Sequence, residues 1–111
     1  MISWPGVVSM AGDAELIYVA DQRDWDADDG PCHSVYAEDD YLLDASGQVY
    51  RLVKTVAGRT IPEATTATRT LIEVLGLVKA HAAQSGSCCV AKLYAASIRQ
   101  AIELVKSVDE Q

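Results

Sequence analysis

Thr70-Leu71-Ile72-Glu73-Val74-Leu75-Gly76-Leu77-Val78-Lys79-Ala80-His81-Ala82-Ala83-Gln84 is where the chain changes its periodicity, and that change decides the fold class. Thr70 followed three residues later by Glu73 is a capping-box pattern. The Thr hydroxyl takes one free N–H of the first turn, and the Glu carboxylate reaches back to another. Leu71, Val74, Leu75, Val78 and Ala82 then recur at helical spacing, and Gly86 stands where a helix closes. The spacing predicts a helix over residues 71–84. Before it the chain reads as strands and turns; after it, as a strand and a second helix.

Upstream, Ile2, Trp4, Val8 and Met10 repeat with period two, which suits a half-buried strand over residues 2–10. Pro5 has no N–H, so this strand lies at an edge or bends there. Ala11-Gly12-Asp13 supplies turn chemistry, and Glu15-Leu16-Ile17-Tyr18-Val19-Ala20 completes a hairpin. Asp21 caps a short helix over residues 22–28, which Gly30-Pro31 ends. Tyr41-Leu42-Leu43-Asp44 and residues 49–56 form a second hairpin across Ala45-Ser46-Gly47. Residues 57–69 form a connection with no element assigned.

Downstream, Cys88-Cys89-Val90-Ala91-Lys92-Leu93-Tyr94 is short, apolar and β-rich, and reads as a buried strand. Ser97-Ile98-Arg99-Gln100 is a second capping box, and Ile98, Ala101, Ile102, Val105 and Val108 form the stripe of a last helix. The expected order is β-β-short α-β-β-α-β-α. This is an α+β fold with a mixed sheet of about five strands: two N-terminal hairpins plus one strand between two C-terminal helices. Both helices pack on one face. If residues 49–56 and 88–94 run parallel, the helix between them is a right-handed crossover. The other face then carries only the short helix and an acidic loop, and an uncovered sheet face or edge is where a protein partner, or a second copy, would dock.

The 111 residues suit one globular domain over residues 1–111, half of them apolar, with a core of Val, Leu, Ile and Ala because Phe is absent. Net charge is −7 and uneven. Residues 1–50 hold eleven acids and one base, residues 51–111 five acids and eight bases. The imbalance permits attraction between the halves, or serves only as a solvated acidic face. With no basic run anywhere, nucleic acid is not an expected partner. A membrane is not expected either, since no uncharged stretch approaches the roughly 20 residues of a span. The start of the chain lacks the basic and apolar regions of a signal peptide. Three cysteines, with Cys88 and Cys89 adjacent, are not a secreted disulfide framework, so a cytoplasmic location is expected.

Nine of the sixteen acids fall between Asp21 and Asp44. Asp24, Asp26 and Asp28 have the alternating spacing of a calcium loop, and are the candidate metal ligands. Gly30 arrives one residue late for that loop, and Val35 stands where a bidentate Glu is needed. The plainer reading is a solvated helix end with Trp25 tucked beneath it. Cys32, His33, His81, Cys88 and Cys89 are the available zinc or thiol set, but no pair has chelating spacing. Cys88 and Cys89 as small buried apolar residues, a Cys32 in a loop, and a His81 favoured by a helix C-terminus account for them more simply, with a solvent-facing general base left open. No nucleophile elbow and no glycine-rich phosphate loop occurs, and no cofactor or catalytic residue is assigned.

Ile2-Ser3-Trp4-Pro5, Glu15-Leu16-Ile17-Tyr18, Leu43-Asp44-Ala45-Ser46-Gly47, His81-Ala82 and Cys88-Cys89-Val90-Ala91-Lys92-Leu93-Tyr94-Ala95 together resemble a small uncharacterised bacterial family, a domain of unknown function. The resemblance implies a compact cytoplasmic α+β domain and brings no activity with it. Three functions compete: a non-enzymatic interaction or regulatory domain, cation binding by the acidic loop, and a small thiol-based enzyme or redox protein.

Overall fold

The structure, a computed structural model, describes residues 1–87 and 90–111. Five strands form one antiparallel sheet in the order β2-β1-β3-β4-β5, and three helices flank it. The strands are β1 (Gly6–Ser9), β2 (Leu16–Val19), β3 (Tyr41–Asp44), β4 (Gln48–Lys54) and β5 (Thr60–Thr68). The helices are α1 (Gln22–Asp26), α2 (Leu71–Gln84) and α3 (Ile98–Asp109).

The α+β class, the strand count, both N-terminal hairpins and the shared face of the two longer helices are as expected. The fifth strand is elsewhere. It lies in residues 57–69, where no element was assigned, and it pairs antiparallel with β4. The slot beside β4 is therefore filled before α2 begins, and α2 is not a parallel crossover. Of the strand expected over residues 88–94, Val90–Lys92 is a 3₁₀ turn, while Cys88 and Cys89 lie outside the described residues. The first strand is also internal. The chain bends through a cis Trp4–Pro5 bond and β1 begins just after it, between β2 and β3.

The helix signals close as local chemistry requires. At α2 both capping-box bonds form: Thr70 N–H to Glu73 Oε1 at 2.9 Å, and Glu73 N–H to Thr70 Oγ1 at 3.2 Å. These bonds from Thr70 hold the Glu73 carboxyl below its usual range. At the other end Ser87 N–H reaches Ala82 O and Gly86 N–H reaches Ala83 O, the paired bonds of a glycine helix stop. The second box is only half formed. Gln100 N–H donates to Ser97 Oγ, while the Gln100 side chain reaches one residue further, to Ala96 N–H.

Side chains alternate across the sheet, and both sides are cored. On one side Val7, Leu16, Leu43 and Val49 meet Val74 and Val78 of α2 and Ala101, Ile102 and Val105 of α3. On the other, Val8, Val19, Leu42 and Tyr50 are buried beneath Trp25 and Cys32, with Ile2, Trp4 and Tyr36 packed around them. The second face is thus not bare. An acidic lid over residues 20–40 covers it, anchored by a Trp25 side chain 1% exposed.

Gly47 is fixed by its surroundings. Its φ is +90°, and a Cβ there would stand 2.6 Å from Arg69 O and 2.9 Å from the Ile98 side chain. Arg69 N–H also donates to Gly47 O, which ties the entrance of α2 to the β3–β4 turn. Gly30 is needed for a different reason. Its missing Cβ would fall within 3 Å of the carbonyls of Asp24, Trp25 and Ala27, so the lid closes tightly on its own helix end.

Candidate functional site

The lid holds the three aspartates proposed as cation ligands, and two of them have protein partners. Asp21 caps α1 through Asp24 N–H, and Asp24 Oδ2 accepts from Ala20 N–H at 3.0 Å. Asp26 accepts from the Gln22 side chain and pairs with Arg59. Asp28 is exposed. Among the described residues no three His, Cys, Asp or Glu side chains come together as a metal set. Asp21, Arg23 and Asp24 border an open depression of about 380 Å³ with Ala20 and Ala27. It is floored by one turn of a five-residue helix.

Of the described thiol and imidazole candidates, Cys32 and His33 share one turn of the lid and His81 stands on α2. Cys32 is fully buried under the lid, its Sγ 3.9 Å from both Ala27 O and Arg59 Nη2. His33, its neighbour, is exposed. His81 is not solvent-facing. It is 2% exposed, and its Nδ1 accepts the Leu16 backbone N–H at 2.9 Å. An acceptor Nδ1 carries no proton, so the ring's hydrogen sits on Nε2 and donates to Asp109 Oδ1 at 2.8 Å. His81 therefore joins α2, β2 and the end of α3. His81→Ala should cost about 2–4 kcal/mol, because it leaves both a cavity and a buried N–H without an acceptor. Urea denaturation measures this, and a loss below about 1 kcal/mol would show the bond to be dispensable.

Asp44 is the most heavily bonded acid, and spacing gave it no role. It is fully buried at the end of β3. Oδ2 accepts from Ser3 N–H and the Tyr50 hydroxyl, each at 2.9 Å. Oδ1 accepts from Ser46 N–H, Ser46 Oγ and Gln48 N–H. Burial alone would raise its pKa, but the donors from Ser3, Ser46 and Tyr50 outweigh it and hold the carboxyl below its usual range. The same pairing, added to burial, pushes Tyr50 up to about 12. These donors saturate the carboxylate, so it organises the turn and offers nothing to a ligand. Its only sequence signal is its place in Asp44-Ala45-Ser46-Gly47, a turn whose Asp and Ser can bond nearby N–H groups.

Both sheet edges carry devices that discourage a further strand. On β2, Leu16 N–H is held by His81 and Ala20 N–H by Asp24. On β5, Thr55 N–H donates to Arg59 O, which makes Thr55 and Arg59 a hydrogen-bonded pair. Alternation then makes Leu52 and Pro62 a non-bonded pair, so the N–H that Pro62 lacks belongs to the outer edge. Trp25 Nε1–H takes the Thr60 carbonyl nearby, and the ladder shifts register between Gln48 and Tyr50. Such devices blunt an edge.

The outward face of α2 is left without a cover by the described residues. On α2 the outward positions are Ile72, Glu73, Gly76, Ala80, Ala83 and Gln84, with Lys79 half-buried beside them. Ile72 is 83% exposed. The outward positions of α3 in the same layer are Arg99, Gln100, Glu103, Lys106 and Ser107, an ordinary solvated face. The signal in the sequence is Ile72 with Gly76, Ala80 and Ala83 among the outward positions, between Lys79 on one side and Glu73 and Gln84 on the other.

Among the described residues, no helix is long and apolar enough to cross a membrane. No match is found among curated proteins. Among solved structures the chain is similar to the NMR structure of a protein from Shewanella amazonensis. Identity is 22%, the TM-score is 0.63, and the alignment covers 96% of this chain and 90% of that one. At that identity the likeness is one of fold. Residues 4–105, nearly the whole of both cores, match the family DUF4144, described as a protein structure with unknown function, and the chain belongs to that family.

Proposed function

We propose that this domain is a cytoplasmic, non-enzymatic interaction module that docks a protein partner on the outward face of α2. The observation that carries the reading is Ile72, a large apolar side chain 83% exposed on a face that also presents Gly76, Ala80 and Ala83. The neighbouring helix α3 supports it, because the same layer shows what a solvated face looks like in this protein. The covered second face and the blunted edges support it too, since they take the sheet out of the surfaces on offer. The cytoplasmic part rests on the count and adjacency of the cysteines.

The test is affinity capture from the native host with the wild-type chain and with Ile72→Gln. The exposed position predicts an unchanged melting temperature for the variant. A partner held through this face should be retained at least about 10-fold less, as expected for a central apolar anchor. If both chains retain the same proteins at the same level, the proposal falls.

A further inference from the structure

We infer that His81 is an acid-sensitive latch: a proton taken up at Nδ1 unfastens Leu16 of β2 from α2 and loosens the last turn of α3. The inference is independent of the interaction reading, since it concerns the buried side of α2.

Nδ1 accepts the Leu16 N–H at 2.9 Å, and Nε2 lies 2.8 Å from Asp109 Oδ1. A hydrogen on Nδ1 would set N–H against N–H, so the ring takes one only by letting Leu16 go. The step is a proton from water onto the Nδ1 lone pair, and the bond lost is the one to Leu16. The ring is 2% exposed, so the Leu16 N–H is then stranded in a buried place.

The surrounding charges set the direction. α3 brings Asp109 to the ring, flanked by the exposed Lys106 and Glu110. β2 brings Leu16, preceded by the exposed Glu15. The 3₁₀ turn at Val90–Lys92 carries Lys92, also exposed. On α2 itself Lys79 is two residues away and so on another side of the helix. Asp109 and the α2 C-terminus both favour a charged ring. The Asp109 side chain is 46% exposed, however, and a half-exposed pair returns less than a buried charge and an orphaned N–H cost. Asp109 orients the neutral ring without holding the latch shut in acid.

An imidazole in water takes its proton near about pH 6.5. The open state binds that proton and the closed state does not. Opening therefore gains up to about 10-fold per pH unit below that value and nothing above it. Asp44 acts only below its ordinary 3.8, outside this window.

Amide exchange and ring-nitrogen NMR of the full chain from about pH 7.5 to about pH 5 test this. The His81 ring should show the Nε2–H tautomer wherever Leu16 is protected. Leu16 protection should fall at least about 10-fold across the range, and Leu16 should exchange ahead of Leu43, because the latch opens without the core. His81→Asn offers an oxygen in place of Nδ1 and takes no proton, so its fall should flatten. Asp109→Asn keeps an acceptor for Nε2–H, and His33→Gln removes the exposed imidazole of the lid; both should keep the fall.

An imidazolium signal from His81 beside an undiminished Leu16 protection overturns the inference, as does a protection independent of pH. A fall abolished by Asp109→Asn or by His33→Gln assigns the proton elsewhere and overturns it too. Leu16 and Leu43 exchanging together at every pH would leave only global unfolding and no latch.

Discussion

Asp44→Ala is expected to leave little folded protein at neutral pH, with a loss of more than about 4 kcal/mol of stability. The carboxylate receives Ser3 N–H, Ser46 N–H, Ser46 Oγ, Gln48 N–H and the Tyr50 hydroxyl. Removing it strands these donors together in a largely buried place, and each orphan costs about 1–3 kcal/mol. Asp44→Asn keeps the volume but turns an N–H₂ towards groups that are themselves donors, so it should fall between wild type and Ala. Urea denaturation followed by tryptophan emission reports both. A loss within about 1 kcal/mol for Asp44→Ala would refute the account.

The pair also sets a pH window. Asp44 is lowered on folding, so its contribution is complete above the ordinary value of 3.8 and declines as pH falls through the lowered one. Tyr50 is raised from 10.0 to about 12, so its contribution is complete below pH 10 and is lost as pH climbs to about 12. That alkaline loss amounts to about 2–3 kcal/mol. Tyr50→Phe should flatten most of the alkaline limb. A smaller slope should remain from Tyr18 and Tyr36, both raised, chiefly by burial. An unchanged limb in Tyr50→Phe would assign the effect elsewhere.

Trp25→Ala is expected to cost about 3–5 kcal/mol, the range for emptying a core tryptophan site. The indole is the largest fully buried side chain that the lid sends into the second core, stacked at 6.4 Å on Tyr36 and bonded through Nε1–H to Thr60 O. The lid's other ties are the exposed Asp26–Arg59 pair, worth under about 1 kcal/mol, the buried Cys32, and Asp40, which accepts from Ala11 N–H at 2.8 Å at the far end of the lid. Losing Trp25 should therefore loosen the lid before the rest of the fold. Amide exchange at Val8, Leu42 and Tyr50, all on the second face, should accelerate more than at Val74 or Ile102. Equal acceleration on both faces would mean that the two cores unfold together.

The parts of the fold legible in the sequence were those set by neighbours along the chain. The Thr70 and Ser97 caps, the Asp21 cap and the Ala45-Ser46-Gly47 turn all form, because their partners lie within four residues. β5 was hidden because an edge strand needs little apolar content. It has one large aliphatic side chain, Ile61, a Pro62 that reads as a breaker, and an irregular register near Gln48 that spoils the period of two. Residues 90–92 looked like a strand on composition, but β-propensity yields to context, and the place beside β4 was taken.

The second core was legible in principle. Val7-Val8 and Leu42-Leu43 are adjacent apolar pairs, and adjacent strand residues face opposite ways, so both sides had to be covered. His81 was misread through its polarity. Its spacing from Val74 and Val78 already put it on the buried side of α2. The outward face of α2 is hard to read from sequence because Gly76, Ala80 and Ala83 are small residues that suit a buried or an exposed helix position equally.

The position of β1 between β2 and β3 also bears on how the chain is made. β1 and β2 lie close together in sequence and can pair soon after both exist. The other side of β1 must wait for Tyr41 to Asp44, its partners across the β1–β3 seam. At roughly 5–20 residues per second, synthesis leaves that side open for about 1–5 s. The chain made during the wait is the acidic stretch of residues 20–40, a poor template for β pairing and a source of repulsion between neighbouring nascent copies. The lid thus guards the unfinished hairpin before it ever covers the finished sheet.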